Sequence, residues 1–269
     1  MQAVDHLSPN FDERGRAIDL LILHYTGMQN AEIALQRLCD PSPRAGVYAF
    51  PWDNVPDPDA PLGRVSTHYV VLEDGRVLRI VDEDKRAWHA GKGLWAGEAD
   101  LNARAIGIEI VNGGHDFGLP DYPEAQMAAV IELVRDICER RNLARHQVVG
   151  HSDVAPLRKA DPGEKFPWTL LAEDGLALWP HELVLPIAVE PMERGDRGEE
   201  VAQLQTTMVE IGYGLDIDGI FGPATEAAVK AFQRRFRTGI IDGVADGETL
   251  ALIADIARQT SVLKGVAVV

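Results

Sequence analysis

Leu20-Leu21-Ile22-Leu23-His24 is the stretch of sequence that decides the fold. With Ile18 before it, this stretch forms an almost continuous apolar run, and Tyr25-Thr26 follows it. A strand with one wet face alternates apolar and polar residues, whereas an unbroken apolar run is typical of a strand that is covered on both faces. The run therefore predicts an inner strand of a sheet that is packed between helices, which is an α/β architecture.

The segments that follow, as far as residue 150, alternate between strand-like and helix-like patterns. Two short apolar runs at 68–72 and 76–81 flank Glu73-Asp74-Gly75, which is typical of a β-hairpin. Residues 123–141 carry apolar side chains at helical spacing and predict a helix. A mixed central sheet flanked by helices accounts for these patterns. The other predicted elements are a helix at 31–39 and strands at 105–111 and 147–150.

The pattern changes after Trp179-Pro180, where periodicity is lost and two prolines follow. Beyond this point, turns at Asp218-Gly219 and Asp242-Gly243 separate three segments with helical spacing. These segments predict a small all-α domain of three helices. The domains that we expect are an α/β domain over 1–185, a linker over 186–194, a three-helix domain over 195–258 and a tail over 259–269.

Composition and charge exclude some classes of partner. The chain has 269 residues, of which 46% are hydrophobic and 25% charged, as is ordinary for globular proteins. Its formal net charge of −16 argues against nucleic acid, whose phosphates it would repel. No apolar run approaches the ~20 residues of a membrane helix, so we expect no membrane insertion. Residues 1–16 lack the apolar core of a signal peptide, which favours a cytoplasmic protein, or a periplasmic one if a leader is missing from the sequence.

Three potential metal donors stand at or just past the ends of predicted strands. They are His24, His151 and Asp161. Each one alone is a weak signal, because a histidine at a strand end is more often a hydrogen-bonded structural residue and an aspartate before Pro162-Gly163 can simply begin a turn. Their co-occurrence favours a catalytic zinc site, which uses three protein ligands and leaves a fourth position to water.

Glu109 and Lys159 are the candidates for proton transfer and charge stabilisation. Strand alternation places Glu109 on the face opposite to the isoleucines of Ile106-Gly107-Ile108-Glu109-Ile110. A carboxylate in so apolar a strand is costly to bury, so it either forms an internal salt bridge or serves as a general base with a raised pKa. Lys159 precedes Asp161 by two positions, which puts both side chains on one side of an extended segment.

Four motifs in the first 180 residues resemble those of one family. They are Leu-His-Tyr-Thr at 23–26, Ala-Trp-His-Ala-Gly at 87–91, Ile-Gly-Ile-Glu-Ile at 106–110, and Gly-His-Ser-Asp-Val-Ala-Pro…Arg-Lys-x-Asp-Pro-Gly at 150–163. Together they closely resemble the zinc-dependent N-acetylmuramoyl-L-alanine amidases, which share a fold with the peptidoglycan recognition proteins. The resemblance implies that zinc (Zn²⁺) is bound by His24, His151 and Asp161, and that Glu109 and Lys159 are catalytic.

The reaction that this resemblance implies is hydrolysis of the amide between N-acetylmuramic acid, or its anhydro form, and L-alanine. Glu109 would carry the proton, and Lys159 would stabilise the oxyanion together with the metal. His89, in the second motif, is predicted either to bind substrate or to have a structural role, and Asn112 is predicted to bind substrate. His68 also matches a family position and is expected to support the site, whereas His115 has no chemical context and is interpreted as a surface or structural residue.

The sequence leaves alternatives open for the role of the second domain and for the class of substrate. Residues 195–258 resemble the three-helix peptidoglycan-binding domain, which here either binds glycan or only packs on the amidase domain and shapes its groove. The absence of a visible leader favours soluble muropeptides of cell-wall recycling, while a wall-binding-like domain favours an exported enzyme that acts on polymeric wall. A non-catalytic muropeptide sensor is a further alternative, against which Glu109 and Lys159 count. The proline-rich loop at 44–65 is predicted to form a wall or lid of the substrate groove. No oligomeric state follows from the sequence.

Overall fold

The computed structural model describes residues 3–44, 47, 61–181 and 189–265. Most of the loop at 44–65 lies outside these residues, so its role at the groove stays a prediction. Backbone contacts divide the chain into two compact units that do not follow sequence order. The first unit comprises Met1–Gly91, Asn102–Leu143 and Asp161–Phe166, and the second comprises Lys92–Leu101, Ala144–Ala160 and Pro167–Val269.

The strands form one mixed sheet and one small strand pair. The strands of the described residues are β1 (Val4–Asp5), β2 (Phe11–Glu13), β3 (Leu20–Tyr25), β4 (Tyr69–Val71), β5 (Val77–Arg79), β6 (Lys85–Ala87), β7 (Ala105–Ile110) and β8 (Val148–Gly150). The six-stranded sheet has the order β1-β5-β4-β7-β3-β8, and β2 pairs with β6. β7 is parallel to both β3 and β4, whereas β4 and β5 are antiparallel, so the sheet is mixed as predicted.

Burial confirms the prediction that the first apolar run is an inner strand. The four residues from Leu20 to Leu23 are all at most 1% exposed. Since successive side chains of a strand point to opposite faces, burial of all four means that both faces of β3 are covered. The predicted hairpin is also present, as β4 and β5 pair from Tyr69 opposite Arg79 to Val71 opposite Val77.

The helices of the first 150 residues include the two that the sequence predicted, at 31–39 and 123–141, and a short one at 101–104 that it did not predict. They are α1 (Ala31–Cys39), α2 (Leu101–Arg104) and α3 (Glu124–Arg141). α1 begins after Asn30, whose side chain accepts a hydrogen bond of 3.0 Å from Ile33 N and satisfies one of the free N–H groups of the first turn. α3 ends at Asn142, which adopts the left-handed conformation with φ 53°.

The C-terminal part is helical, as predicted, but its last helix is longer than expected. The helices after β8 are α4 (His151–Val154), α5 (Trp168–Glu173), α6 (Glu199–Ile211), α7 (Pro223–Phe236) and α8 (Gly247–Leu263). The tail predicted from residue 259 is wrong for 259–263, which continue α8. The reason is burial: Thr260 is 0% exposed and Gln259 5%, and Gln259 Nε2 donates to Trp179 O at 2.9 Å. The other predicted domain boundaries stay predictions.

The two Asp-Gly turns of the three-helix domain are each stabilised by the side chain of a buried glutamine. Gln205 in α6 accepts from Gly219 N at 2.9 Å and donates to Asp218 Oδ1 at 2.8 Å. Gln233 in α7 repeats this pattern, accepting from Gly243 N at 2.8 Å and donating to Asp242 Oδ1 at 3.0 Å. Both glutamines are at most 1% exposed. A buried amide that satisfies a turn in this way fixes the connection between helices.

Candidate functional site

His24 and Glu109 lie side by side at the carboxyl ends of two inner strands. In the parallel pairing of β3 and β7, His24 is directly opposite Glu109. Directly paired residues of neighbouring strands point to the same face, and the strands are about 4.8 Å apart. His24 is 1% exposed, whereas Glu109 is half-buried. The sheet therefore brings an imidazole and a carboxylate to one face, a pairing that the sequence did not predict.

The His24 ring contacts a side chain through each of its nitrogens. Nδ1 lies 3.0 Å from Asp161 Oδ2, and Nε2 lies 3.0 Å from His89 Nδ1. Asp161 is 5% exposed and His89 is 9% exposed. The sequence predicted Asp161 beside His24, but it did not predict that His89 touches the same ring. His89 thus has a positioning contact, and binding of substrate by His89 stays a prediction.

His89 is fixed by a close approach to the backbone of β7. A Cβ atom at Gly107 would lie 2.5 Å from His89 Cγ, so only glycine leaves room for the ring. The backbone N–H of His89 donates to Asn102 Oδ1 at 3.1 Å. The ring also makes edge contacts with His24 and His68, at centroid distances of 5.1 and 5.6 Å.

His68 supports this row of rings from inside the protein, in agreement with its predicted supporting role. It is 0% exposed, and its Nδ1 accepts a hydrogen bond of 2.9 Å from Gly107 N. Burial, with a smaller contribution from the nearby Arg14, lowers the pKa of His68 to about 3. His68 is therefore neutral at physiological pH and acts as a hydrogen-bonding residue.

His151 opens the short helix α4 directly after β8. Its side chain is buried, with the residue 2% exposed, and its Nε2 lies 3.3 Å from Arg158 Nη2. Lys159, the next residue along, is exposed. The exposed position leaves the Lys159 ammonium accessible from solvent, and its catalytic role stays a prediction.

His24, His151 and Asp161 come together as the sequence predicted. One potential ligand atom from each residue lies within 4.8 Å of the other two. A metal site needs at least three histidine, cysteine or acidic side chains close together. Among the residues that the structure describes, these three form the one group with that geometry. All three residues are buried. Two imidazoles and one carboxylate form a donor set that is suited to zinc.

Asn112 is engaged by the loop that follows β7. It is 5% exposed; its Nδ2 donates to Pro120 O at 2.9 Å, and its Oδ1 accepts from Gly114 N at 2.9 Å. Both ends of the amide thus hold the loop backbone. Binding of substrate by Asn112 stays a prediction, and the contacts give it a structural role.

His115 is exposed, in agreement with its interpretation as a surface or structural residue, but it makes two contacts that the sequence did not predict. Its Nδ1 lies 2.9 Å from the Tyr25 hydroxyl, and its Nε2 lies 2.9 Å from Glu164 Oε2. Tyr25 is adjacent to His24, and Glu164 follows Asp161 by three positions. The proximity of Tyr25 and Glu164 to the predicted ligands was a signal in the sequence, but only the tertiary structure places His115 between them.

Two family models match the chain. The model of N-acetylmuramoyl-L-alanine amidase matches residues 14–164. The model of a peptidoglycan binding domain matches residues 197–253. No helix in the described residues is both long enough and apolar enough to cross a membrane.

Two known proteins are each similar to more than half of the chain. The N-acetylmuramoyl-L-alanine amidase AmiD of Escherichia coli strain K12 is 33% identical over 70% of this chain and 72% of its own length. The 1,6-anhydro-N-acetylmuramyl-L-alanine amidase AmpD of Haemophilus influenzae is 30% identical over 60% of this chain and 85% of its own length.

Solved structures show the same fold. The complex of AmiD from E. coli with the substrate anhydro-N-acetylmuramic acid-L-Ala-D-gamma-Glu-L-Lys superimposes with a TM-score of 0.72 and 29% identity, over 92% of this chain and 90% of that one. AmpDh3 from Pseudomonas aeruginosa superimposes with a TM-score of 0.70 and 26% identity, over 96% of this chain and 99% of that one.

Proposed function

This chain belongs to the N-acetylmuramoyl-L-alanine amidase family, and we propose that it hydrolyses the amide between N-acetylmuramic acid, or its anhydro form, and L-alanine in muropeptides, with a zinc ion held by His24, His151 and Asp161. The observation that carries this proposal is the cluster of these three buried donors, whose ligand atoms lie within 4.8 Å of one another.

The donor set fits zinc in chemistry and in size. Bonds of about 2.0–2.2 Å at tetrahedral angles place neighbouring ligand atoms about 3.4 Å apart. His24 Nδ1 and Asp161 Oδ2 are 3.0 Å apart, so movements of the order of 1 Å bring all three donors to that spacing. When bound, zinc would polarise the scissile carbonyl and make water a stronger nucleophile at neutral pH.

His89 would set the tautomer of His24. A metal ligand needs a lone pair on its donor nitrogen, and His24 Nδ1 is the nitrogen that faces Asp161. The proton of the neutral His24 ring then belongs on Nε2, where His89 Nδ1 can accept it at 3.0 Å. Partners of this kind orient metal-bound histidines and raise their basicity.

Glu109 is the group proposed to move the proton. It stands opposite His24 in the sheet and is half-buried, a position from which a carboxylate can take a proton from water and pass it to the leaving amine. Lys159 would place positive charge beside the oxyanion of the tetrahedral intermediate.

Replacing Glu109 with alanine tests this assignment. We expect the variant to bind zinc with wild-type stoichiometry but to turn over at least ~100-fold more slowly, the usual range for loss of an acid–base group. Glu32→Ala on the surface of α1 is the control and should keep full turnover. Near-normal turnover of Glu109→Ala would remove Glu109 from the mechanism.

Soluble muropeptides are the substrate class that we favour, because the structures of two relatives, AmiD and AmpDh3, are described as complexes with anhydromuramic peptides. Polymeric wall is the second candidate, supported by the match of residues 197–253 to a peptidoglycan binding domain. Digestion of both substrates, with mass spectrometry of the released peptides, discriminates them. A zinc-loaded protein that cleaves neither substrate would instead be a sensor.

A further inference from the structure

We propose that the three-helix domain is a positioning element of the metal site, because its residues Arg235 and Tyr213 clamp Asp153, two positions after His151. This inference rests on the proposed role of His151 as a zinc ligand. It gives the C-terminal domain a role in holding a proposed metal ligand in place, whether or not that domain also binds glycan.

The carboxylate of Asp153 is the centre of the clamp. It is 1% exposed, and Oδ1 accepts a hydrogen bond of 3.0 Å from the Tyr213 hydroxyl. Oδ2 accepts from Arg235 Nη1 at 2.8 Å and from Gly150 N at 2.8 Å. Gly150 and Asp153 flank His151 in the sequence, so the clamp holds the backbone of His151 from both sides.

The guanidinium of Arg235 reaches the same segment through a second contact. Its Nη2 donates to Val148 O at 3.1 Å, in the strand that leads to His151. The guanidinium carbon lies 3.9 Å from the centroid of the Trp168 ring, a cation–π contact that fixes its plane. The Arg235 and Asp153 side chains are 5% and 1% exposed. A buried pair with additional hydrogen bonds is costly to break, because removal of one partner leaves the other charge uncompensated.

A second set of contacts, made by residues 94–96, joins the end of α4 to the three-helix domain. Leu94 N donates to Val154 O at 3.0 Å, and Ala96 N donates to Gly212 O at 2.8 Å. Between them, the Trp95 ring packs edge-on against Tyr213 with a centroid distance of 5.2 Å. A Cβ atom at Gly212 would lie 2.6 Å from the Trp95 ring, so glycine permits this approach. Two sets of contacts, which share Tyr213, therefore fix the position of α4.

The division of the chain into compact units agrees with these contacts. Backbone contacts group residues 92–101 and 144–160 with the C-terminal helices and not with the strands that precede them in the sequence. The segment that carries His151 is thus built on the three-helix domain. His24 and Asp161 belong to the other compact unit, so among the three proposed ligands the inference concerns His151.

The test compares two arginines of the full-length protein, the buried Arg235 and the partly buried Arg237. Arg237 also pairs with acidic residues inside the three-helix domain, Asp246 and Glu248, with a side chain that is 10% exposed. We expect Arg235→Met to weaken zinc binding, measured by competition with a chelator, by about 10–100-fold, the range for loss of a partner that orients a metal ligand. The visible absorption spectrum of the cobalt-substituted variant should change as well.

Arg237→Met should leave zinc affinity and the cobalt spectrum at wild-type values, even where it lowers the melting temperature. Arg235→Lys should restore part of the affinity, because it returns a cation to Asp153. Folded Arg235→Met protein with wild-type zinc affinity and cobalt spectrum would overturn the inference. If Arg235→Met does not fold, Tyr213→Phe removes only the hydroxyl bond to Asp153, and unchanged affinity there would overturn it equally.

The wild-type protein separates this inference from the proposed function. A pure wild-type protein that takes up no zinc and cleaves no muropeptide would overturn the proposed function, and the inference with it. A wild-type protein that is loaded and active, beside an unaffected Arg235→Met variant, would overturn the inference alone.

Discussion

Replacing Gly107 with alanine should impair the metal site without touching any proposed ligand. Gly107 lies in β7 beneath the ring of His89, whose Nδ1 is 3.0 Å from His24 Nε2. The added methyl group would lie 2.5, 2.6 and 2.8 Å from three atoms of that ring. His89 cannot retreat freely, since its backbone N–H is bonded to Asn102 and its ring edge meets His68.

The distances to the added methyl group determine how far the His89 ring must move and how large the effect should be. Carbon atoms in good contact are about 3.5 Å or more apart, so the ring must move by about 1 Å. A change of that size takes a hydrogen bond of 3.0 Å out of the normal range. Overpacking of this kind costs about 1–3 kcal/mol of stability. Loss of the partner that orients His24 should weaken zinc binding or turnover about 10–100-fold.

The assay is zinc affinity and the free energy of unfolding for Gly107→Ala in two backgrounds, wild type and His89→Ala. If the clash acts through the ring, Gly107→Ala should cost less than about 0.5 kcal/mol once the ring is gone. Gly63→Ala is the matched control, because nothing lies within 4 Å of a Cβ at that position. Equal costs in both backgrounds, or an unaffected single variant, would refute the reasoning.

Three further outcomes follow from the structure. Burial alone would raise the pKa of Glu83, but hydrogen bonds from Arg140, Tyr69 and Arg141 lower it from 4.5 to about 2. The corresponding stabilisation of the folded protein is about 3 kcal/mol. It is present above pH 4.5 and is lost as the pH falls towards 2. Denaturation of Glu83→Gln should show a loss of about 3 kcal/mol at pH 7 and of only about 1 kcal/mol at pH 2.5. The control Glu13→Gln, which removes an exposed ion pair with Lys85, should cost less than about 1 kcal/mol at both. Gln205→Leu should destabilise the protein by about 1–3 kcal/mol or more, because it leaves a buried turn unsatisfied, and calorimetry that detects no change would contradict the role of this amide. Chelation should lower the melting temperature of zinc-loaded wild type but not of Asp161→Ala, since saturation at 1,000 times Kd contributes about 4 kcal/mol.

The sequence alone determined the inner strand β3, the hairpin, the longer helices and the types of donor at the candidate metal site. An unbroken apolar run, helical spacing and Asp-Gly turns are local patterns. The first two indicate which faces of a segment are buried, and the turns indicate where a segment ends. For this reason β3, the hairpin of β4 and β5, and the helix α3 were predicted close to their observed bounds, and three helices were predicted within 195–258. The motifs that contain His24, His151 and Asp161 also identified the donors of the candidate site.

Only the tertiary structure decided the contacts that support those donors. His89 lies against His24 because Gly107 leaves space for its ring, and His115 joins Tyr25 to Glu164 across 90 and 49 positions of sequence. Asp153 accepts a hydrogen bond from Arg235, which lies in α7, 82 positions later in the sequence. Local patterns record whether a side chain is buried, but a hydrogen bond between distant segments depends on the packing of both, which periodicity in either one does not encode.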